Sequence, residues 1–274
     1  MPTPTSTDPS GSGQPLPFPG RLIKAGNTDR PIVLSIQRRL NAVGCGPIEE
    51  NGTFAQQTED AVKLFQGRFP DTDGLPLTVD GQVGPITWAA LFGKQSVSVV
   101  SQVADPLLTR VLEVAASQVG VMEEPPGSNR GARVDEYLRA AGLNPTAGSF
   151  AWCAAFVYWC AQQAAAALRR PNPLIRTAGV LEHWNEAEKQ RIPRVLSEQA
   201  NANPTLVKPG QIFTLSTGGG HGHMGLIAQV NGGKLTTIEG NTNDGGSREG
   251  VGVFRRESRR IGQINLGFID YSGV

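Results

Sequence analysis

Ser149-Phe150-Ala151-Trp152-Cys153-Ala154-Ala155-Phe156-Val157 opens the longest apolar run of the chain and sets a thiol where a helix begins. The run, Phe150 to Leu168, is dominated by alanine and broken by Gln162 and Gln163, which fits a buried core helix rather than a membrane span. Unpaired N–H groups and the helix dipole favour negative charge at a helix start, so Cys153 should ionise below the ordinary thiol range. Cys160, one heptad on, reads as an inert buried cysteine. The two lie roughly 10 Å apart along the helix axis, beyond disulfide reach. Cys45 belongs to another segment, and three cysteines in all point to free thiols rather than a disulfide framework.

A nucleophilic thiol needs a base, and the chain has 3 histidines. His183, in Leu181-Glu182-His183-Trp184-Asn185, reads as a surface or packing residue within charged helical sequence. His221 and His223 follow Gly218-Gly219-Gly220 and lead into Met224 to Val230, which reads as a strand. His221 is flanked by glycines, whereas His223 abuts the strand and can be aimed, with room beside it at Gly225. His223 is therefore the expected base. After the hairpin signal Asn231-Gly232-Gly233 comes an alternating strand, Leu235 to Asn241, with Glu239 and Asn241 on one face. A polar group there can accept the second ring N–H of the imidazole and fix its tautomer.

Phe150-Ala151-Trp152-Cys153-Ala154-Ala155-Phe156-Val157, His223-Met224-Gly225-Leu226-Ile227 and Ile238-Glu239-Gly240-Asn241, in this order, resemble the CHAP family of cysteine amidohydrolases. The resemblance runs from about residue 107 to 270 and includes Lys208-Pro209-Gly210-Gln211-Ile212-Phe213, the turn into the first core strand, where Gln211 departs from the family's frequent acidic residue. It implies a papain-like domain with Cys153 as nucleophile, His223 as base, Glu239 as orienting carboxylate and Asn241 as a further polar partner. It also implies cleavage of peptidoglycan amide bonds, either as an N-acetylmuramoyl-L-alanine amidase or as a stem or cross-link endopeptidase. Gly127-Ser128-Asn129-Arg130-Gly131, ahead of the catalytic helix, reads as a groove wall or an ordinary turn.

Upstream, Asn51-Gly52-x-Phe54-Ala55-x-x-Thr58-x-x-Ala61-Val62 recurs as Asp80-Gly81-x-Val83-Gly84-x-x-Thr87-x-x-Ala90-Leu91. Each copy is a tight Asn-Gly or Asp-Gly turn followed by a short helix, and Pro85 suits a first helical turn. Val33, Ile36, Leu40 and Val43 add a preceding helix with Gly44 at its end. These residues resemble the peptidoglycan-binding domain found beside wall hydrolases.

The expected fold is α+β: a small three-helix bundle, then helices packed on an antiparallel sheet. The expected boundaries are a disordered Pro/Ser/Gly-rich leader over 1–28, the wall-binding domain over 29–93, a linker over 94–104 and the hydrolase domain over 105–274. Asp105 and Pro106 mark the first helix of that domain. Lys plus Arg total 25 against 24 acidic residues, so no strong field argues for nucleic acid or an anionic membrane as partner. No cofactor is expected, and the pair His221-x-His223 lacks the surrounding spacing of a zinc site. Peptidoglycan is the expected partner, with an immunity protein or inhibitor added if the chain is a secreted antibacterial effector rather than a lysin. The leader lacks the basic start and apolar stretch of a secretory signal, which implies export by a specialised system, a holin or lysis. A non-catalytic wall-binding protein and a cysteine amidase acting on another substrate are the alternatives.

Overall fold

The computed structural model describes residues 15–243 and 250–274. They form two compact units. One comprises residues up to Val99 with Asn201–Thr205 and Asn231–Gly233, and the other Val100–Ala200, Leu206–Val230 and Lys234–Val274.

The first unit holds α1 (Arg30–Ala42), α2 (Gln56–Arg68) and α3 (Pro85–Phe92). Asp29 caps α1 by accepting the Ile32 N–H, and Pro85 opens α3 where its missing N–H costs nothing. Val33, Ile36, Leu40, Val62, Phe65, Trp88 and Leu91 meet as the core. The internal repeat reaches further back than its turns. Gln37 and Gln66, 29 positions apart like Gly52 and Gly81, are both buried. Gln37 Oε1 accepts the Gly52 N–H at 2.8 Å while its Nε2 donates to Thr53 O at 3.0 Å. Gln66 repeats this on Gly81 N–H at 2.9 Å and Gln82 O at 2.9 Å. Each buried amide thus satisfies the backbone of its own tight turn, whose glycine sits at φ +73° or +72°.

The segments flanking the expected wall-binding domain carry more structure than their composition suggests. Residues 1–14 lie outside the described residues, but the rest of the expected leader is ordered. Leu16 and Phe18 pack on this core, Leu16 O accepts the Trp88 indole N–H at 3.1 Å, and fully buried Ile23 bridges Val83. The proline-rich composition forbids a helix, yet an extended chain needs only a few apolar anchors and a neighbour for its backbone. In the expected linker, Lys94–Ser96 is a turn of 3-10 helix and Val97 is buried in the same core. A short strand, β1 (Val99–Val100), follows.

The second unit carries α4 (Pro106–Ser117), α5 (Ala132–Ala140), α6 (Cys153–Ala167), α7 (Val180–Lys189) and the greater part of α8 (Ser197–Ala202). Its strands are β2 (Arg194–Leu196), β3 (Ile212–Gly218), β4 (His221–Asn231), β5 (Lys234–Thr242), β6 (Gly252–Arg260) and β7 (Gly267–Ile269). They pair in the order β2-β7-β3-β4-β5-β6, antiparallel as expected. Asp105 caps α4 through the N–H groups of Leu107 and Leu108. Every residue of α6 from Cys153 to Ala161 is buried, because α4 and α5 cover one side and β5 the other. Gly240 permits that approach: a Cβ there would come within 2.7 Å of Phe156 and 2.8 Å of the Trp152 ring. Gln211 is buried and bonds Lys208 N, Leu206 O and Asp270, so its departure from an acidic residue serves the turn into β3.

Candidate active site

Cys153 is the first residue of α6, after Trp152 at the N-cap, where no side chain caps the helix. The N–H groups of that first turn therefore remain available to an anion. The thiol is 2 % exposed. Burial opposes its ionisation, but a hydrogen bond and charge from His223 and the N–H groups of Met224 and Ala154 outweigh that opposition. The thiol consequently titrates below its ordinary range. Cys160, two turns on and equally buried, has no such partner and its thiol is pushed well above that range.

His223 lies on β4 opposite Leu215 of β3, and its ring is 5.8 Å from that of Phe213. Its Nε2 meets Glu239 Oε2 at 2.8 Å. Among the described residues Nδ1 has no nitrogen or oxygen partner, which leaves it to the thiol. Burial disfavours the imidazolium, yet hydrogen bonds to Cys153 and Glu239, with their charges, raise His223 to about 9. Thiolate and imidazolium thus stabilise each other. Gly225 is the next residue on the same face, and the space beside it is taken: a Cβ there would meet Glu239 Cγ and Phe213 at 2.8 Å.

Glu239, on β5, is fully buried. Arg259 of β6 grips it bidentately, Nε to Oε1 at 2.8 Å and Nη2 to Oε2 at 2.6 Å, while Thr237 donates its hydroxyl to Oε1. Although burial opposes it, the hydrogen bonds from His223 and Arg259, with their charges, hold the carboxyl ionised far below the usual range. Arg259 in turn stacks over Phe213, 4.7 Å from its centroid. Neither Arg259 nor Thr237 was singled out in the sequence. The signal for Arg259 is cross-strand: it pairs with Leu235, on the face that also carries Glu239, and this register is invisible in a basic run such as Arg255 to Arg260.

Asn241, expected as a further polar partner of the site, lies on β5 two residues beyond Glu239. Its backbone is left-handed, at φ +54°, and its amide turns toward α6. With the amide oriented so that both of its groups are satisfied, Oδ1 accepts the Trp152 N–H at 3.2 Å and Nδ2 donates to Gly250 O at 3.0 Å. Asn241 therefore braces the start of α6, beside Cys153. His221 departs from expectation. It is the first residue of β4, opposite Gly218, rather than in a loop, and it is exposed. His183 is no surface residue: it is fully buried on α7 with Nε2 2.7 Å from the Tyr271 hydroxyl.

Comparison with protein families matches residues 145–241 to the CHAP domain and residues 29–91 to a peptidoglycan binding domain. No curated protein and no solved structure matches the chain. The CHAP match spans Cys153, His223, Glu239 and Asn241, whereas Arg259 falls beyond its end. The chain thus has the domain composition of a peptidoglycan hydrolase.

Proposed function

We propose, on the premise of a CHAP domain combined with a peptidoglycan-binding domain, that this chain hydrolyses a cell-wall amide bond through Cys153, His223 and Glu239. The bond is that of an N-acetylmuramoyl-L-alanine amidase or of a stem or cross-link endopeptidase. The observation that carries the reading is the buried chain Arg259–Glu239–His223, whose last free nitrogen, Nδ1, is left to a thiol at a helix N-terminus.

In the first half-reaction the Cys153 thiolate attacks the amide carbon, and the N–H groups at the start of α6 face the developing oxyanion. His223 then gives its proton to the leaving amine as the C–N bond breaks, which leaves a thioester on Cys153. In the second, water yields a proton to His223 and attacks the thioester, and the thiolate departs with the imidazolium restored. Glu239 remains ionised throughout and keeps Nε2 occupied, so that proton traffic runs through Nδ1. The N-terminal unit raises the local concentration of wall substrate. Action at the cell wall or periplasm follows from both domains, in a lysin or a secreted antibacterial effector; in the effector case an immunity protein would be a further partner. Among the described residues no helix is long and apolar enough to cross a membrane.

Digestion of purified sacculi, read by mass spectrometry of the released fragments, tests this and identifies the bond. The wild type should release fragments with new amine ends and Cys153→Ala should release none. Equal release by both would contradict the proposal.

A further inference from the structure

We infer that Glu123 is a positioning residue for the nucleophile, acting through Trp152, so that two buried carboxylates serve the site, one for each member of the Cys153–His223 pair. The inference rests on the proposed thiol mechanism and assigns a role to a residue that mechanism does not use. Glu123 is 2 % exposed and precedes α5. Its Oε1 accepts the Trp152 indole N–H at 2.8 Å, and its Oε2 accepts the Asn129 backbone N–H at 3.1 Å. The segment that carries it is tied to the start of β6: Glu123 N–H donates to Val251 O at 2.8 Å and Val253 N–H to Val121 O at 2.8 Å. The strand whose far end pins Glu239 through Arg259 therefore anchors Glu123 at its near end.

Trp152 shares a peptide bond with Cys153 and is held on every edge. Asn241 takes its backbone N–H, Tyr137 lies 5.7 Å from its ring, Gly240 backs it without a side chain, and Glu123 takes the indole N–H. A buried carboxyl is costly unless its oxygens are bonded, so packing alone would favour an apolar residue here. What a carboxyl supplies instead is direction: two N–H groups must point at it. Turning the indole would turn the Trp152–Cys153 peptide, and with it the N–H facing the oxyanion and the line from thiol to Nδ1. Misplacement on that scale costs rate steeply. The second bond places Asn129, whose Nδ2 donates to Ser149 Oγ at 3.0 Å, so the same carboxyl also ties the Asn129 turn to the segment that leads into Trp152 and Cys153.

The test uses the full chain, a soluble muropeptide as substrate, and iodoacetamide alkylation of Cys153 across pH, all normalised to folded protein by circular dichroism. Glu123→Ala should lower kcat about 10- to 100-fold with KM within about twofold, and should shift the alkylation profile to higher pH. Glu123→Gln should recover most of the loss, because its amide oxygen can still accept the indole N–H. Trp152→Phe, which removes that N–H, should match Glu123→Ala, and the double variant should be no worse than the poorer single one. If Glu123→Ala does not fold, Glu123→Gln and Trp152→Phe carry the test, and normal kcat in Trp152→Phe overturns the inference. So do unchanged kcat and alkylation per folded molecule in Glu123→Ala, or multiplicative losses in the double variant. Activity retained by Cys153→Ala would instead overturn the thiol mechanism, whereas an inactive Cys153→Ala beside a normal Glu123→Ala overturns only the role of Glu123.

Discussion

His183 and His223 are buried in the same unit, at 0 % and 2 % exposure, and in both Nδ1 lacks a nitrogen or oxygen partner. Their proton affinities nevertheless move in opposite directions. On α7, His183 bonds the neutral hydroxyl of Tyr271, and burial pulls its pKa down to about 4. On β4, burial pulls His223 the same way, but the Cys153 thiol and the Glu239 carboxylate reverse the outcome. Burial sets the penalty for charge, and anionic partners decide whether it is overcome. One imidazole is a packing element that must stay neutral, and the other is built to hold a proton and release it. That difference is what marks the His223 pocket as the candidate reaction site.

The largest effect expected from this contrast is on turnover. His223→Ala should lower muropeptide cleavage by about 10²–10⁴-fold, the usual contribution of general acid–base catalysis, while His183→Gln should cleave normally per folded molecule. Steady-state kinetics on matched folded protein check both, and comparable losses in the two variants would erase the distinction. Glu239→Gln should come next, with kcat down about 10²-fold, because the orienting anion and the imidazole tautomer are lost together. In that variant the alkaline limb of the pH profile, set in the wild type by deprotonation of His223 near 9, should move to lower pH. An unmoved limb would mean that Glu239 does not sustain the imidazolium.

A smaller effect separates the histidines by stability. His183 has its pKa depressed in the folded state, so between about 6.5 and 4 the unfolded chain binds a proton that the folded chain refuses. Stability should therefore fall with pH across that window by up to about 1.4 kcal/mol per unit, and His183→Gln should lack this component. Urea denaturation at pH 7 and pH 5 reads the difference. The smallest effect concerns the cysteines, where Cys160→Ala should cost about 1 kcal/mol and leave turnover within a few-fold.

Much of this was legible before the structure. The helix start at Cys153, the strand-held His223 and the alternation bearing Glu239 rest on local pattern, and each side chain arrives where its period places it. What sequence alone could not supply depended on register or on contact between distant segments. Arg259 reaches Glu239 only because β5 and β6 pair with bulges that no periodicity predicts. Asn241 shares a strand face with Glu239 in an ideal count, but its left-handed backbone turns it to Trp152. His183 reads as surface or packing because Glu182, Glu186 and Glu188 surround it in sequence, and α7 decides for packing by setting it with Val180, Trp184 and Ala187 on the buried face. In the N-terminal unit the repeated turns were readable from Gly52 and Gly81, and the glutamines that hold them were not, since an isolated Gln in a helix carries no signal until its turn folds against it.

The proposed mechanism requires a thiol that His223 keeps ionised, and the rate of Cys153 alkylation by iodoacetamide as a function of pH measures this most directly. The wild type should react with an apparent pKa below the free thiol value of about 8.5, and His223→Ala should shift that pKa upward, toward or beyond the free value, because burial then acts on the thiol with its main partner gone. Identical profiles in the two proteins, or a wild-type profile at or above the free value, would contradict it.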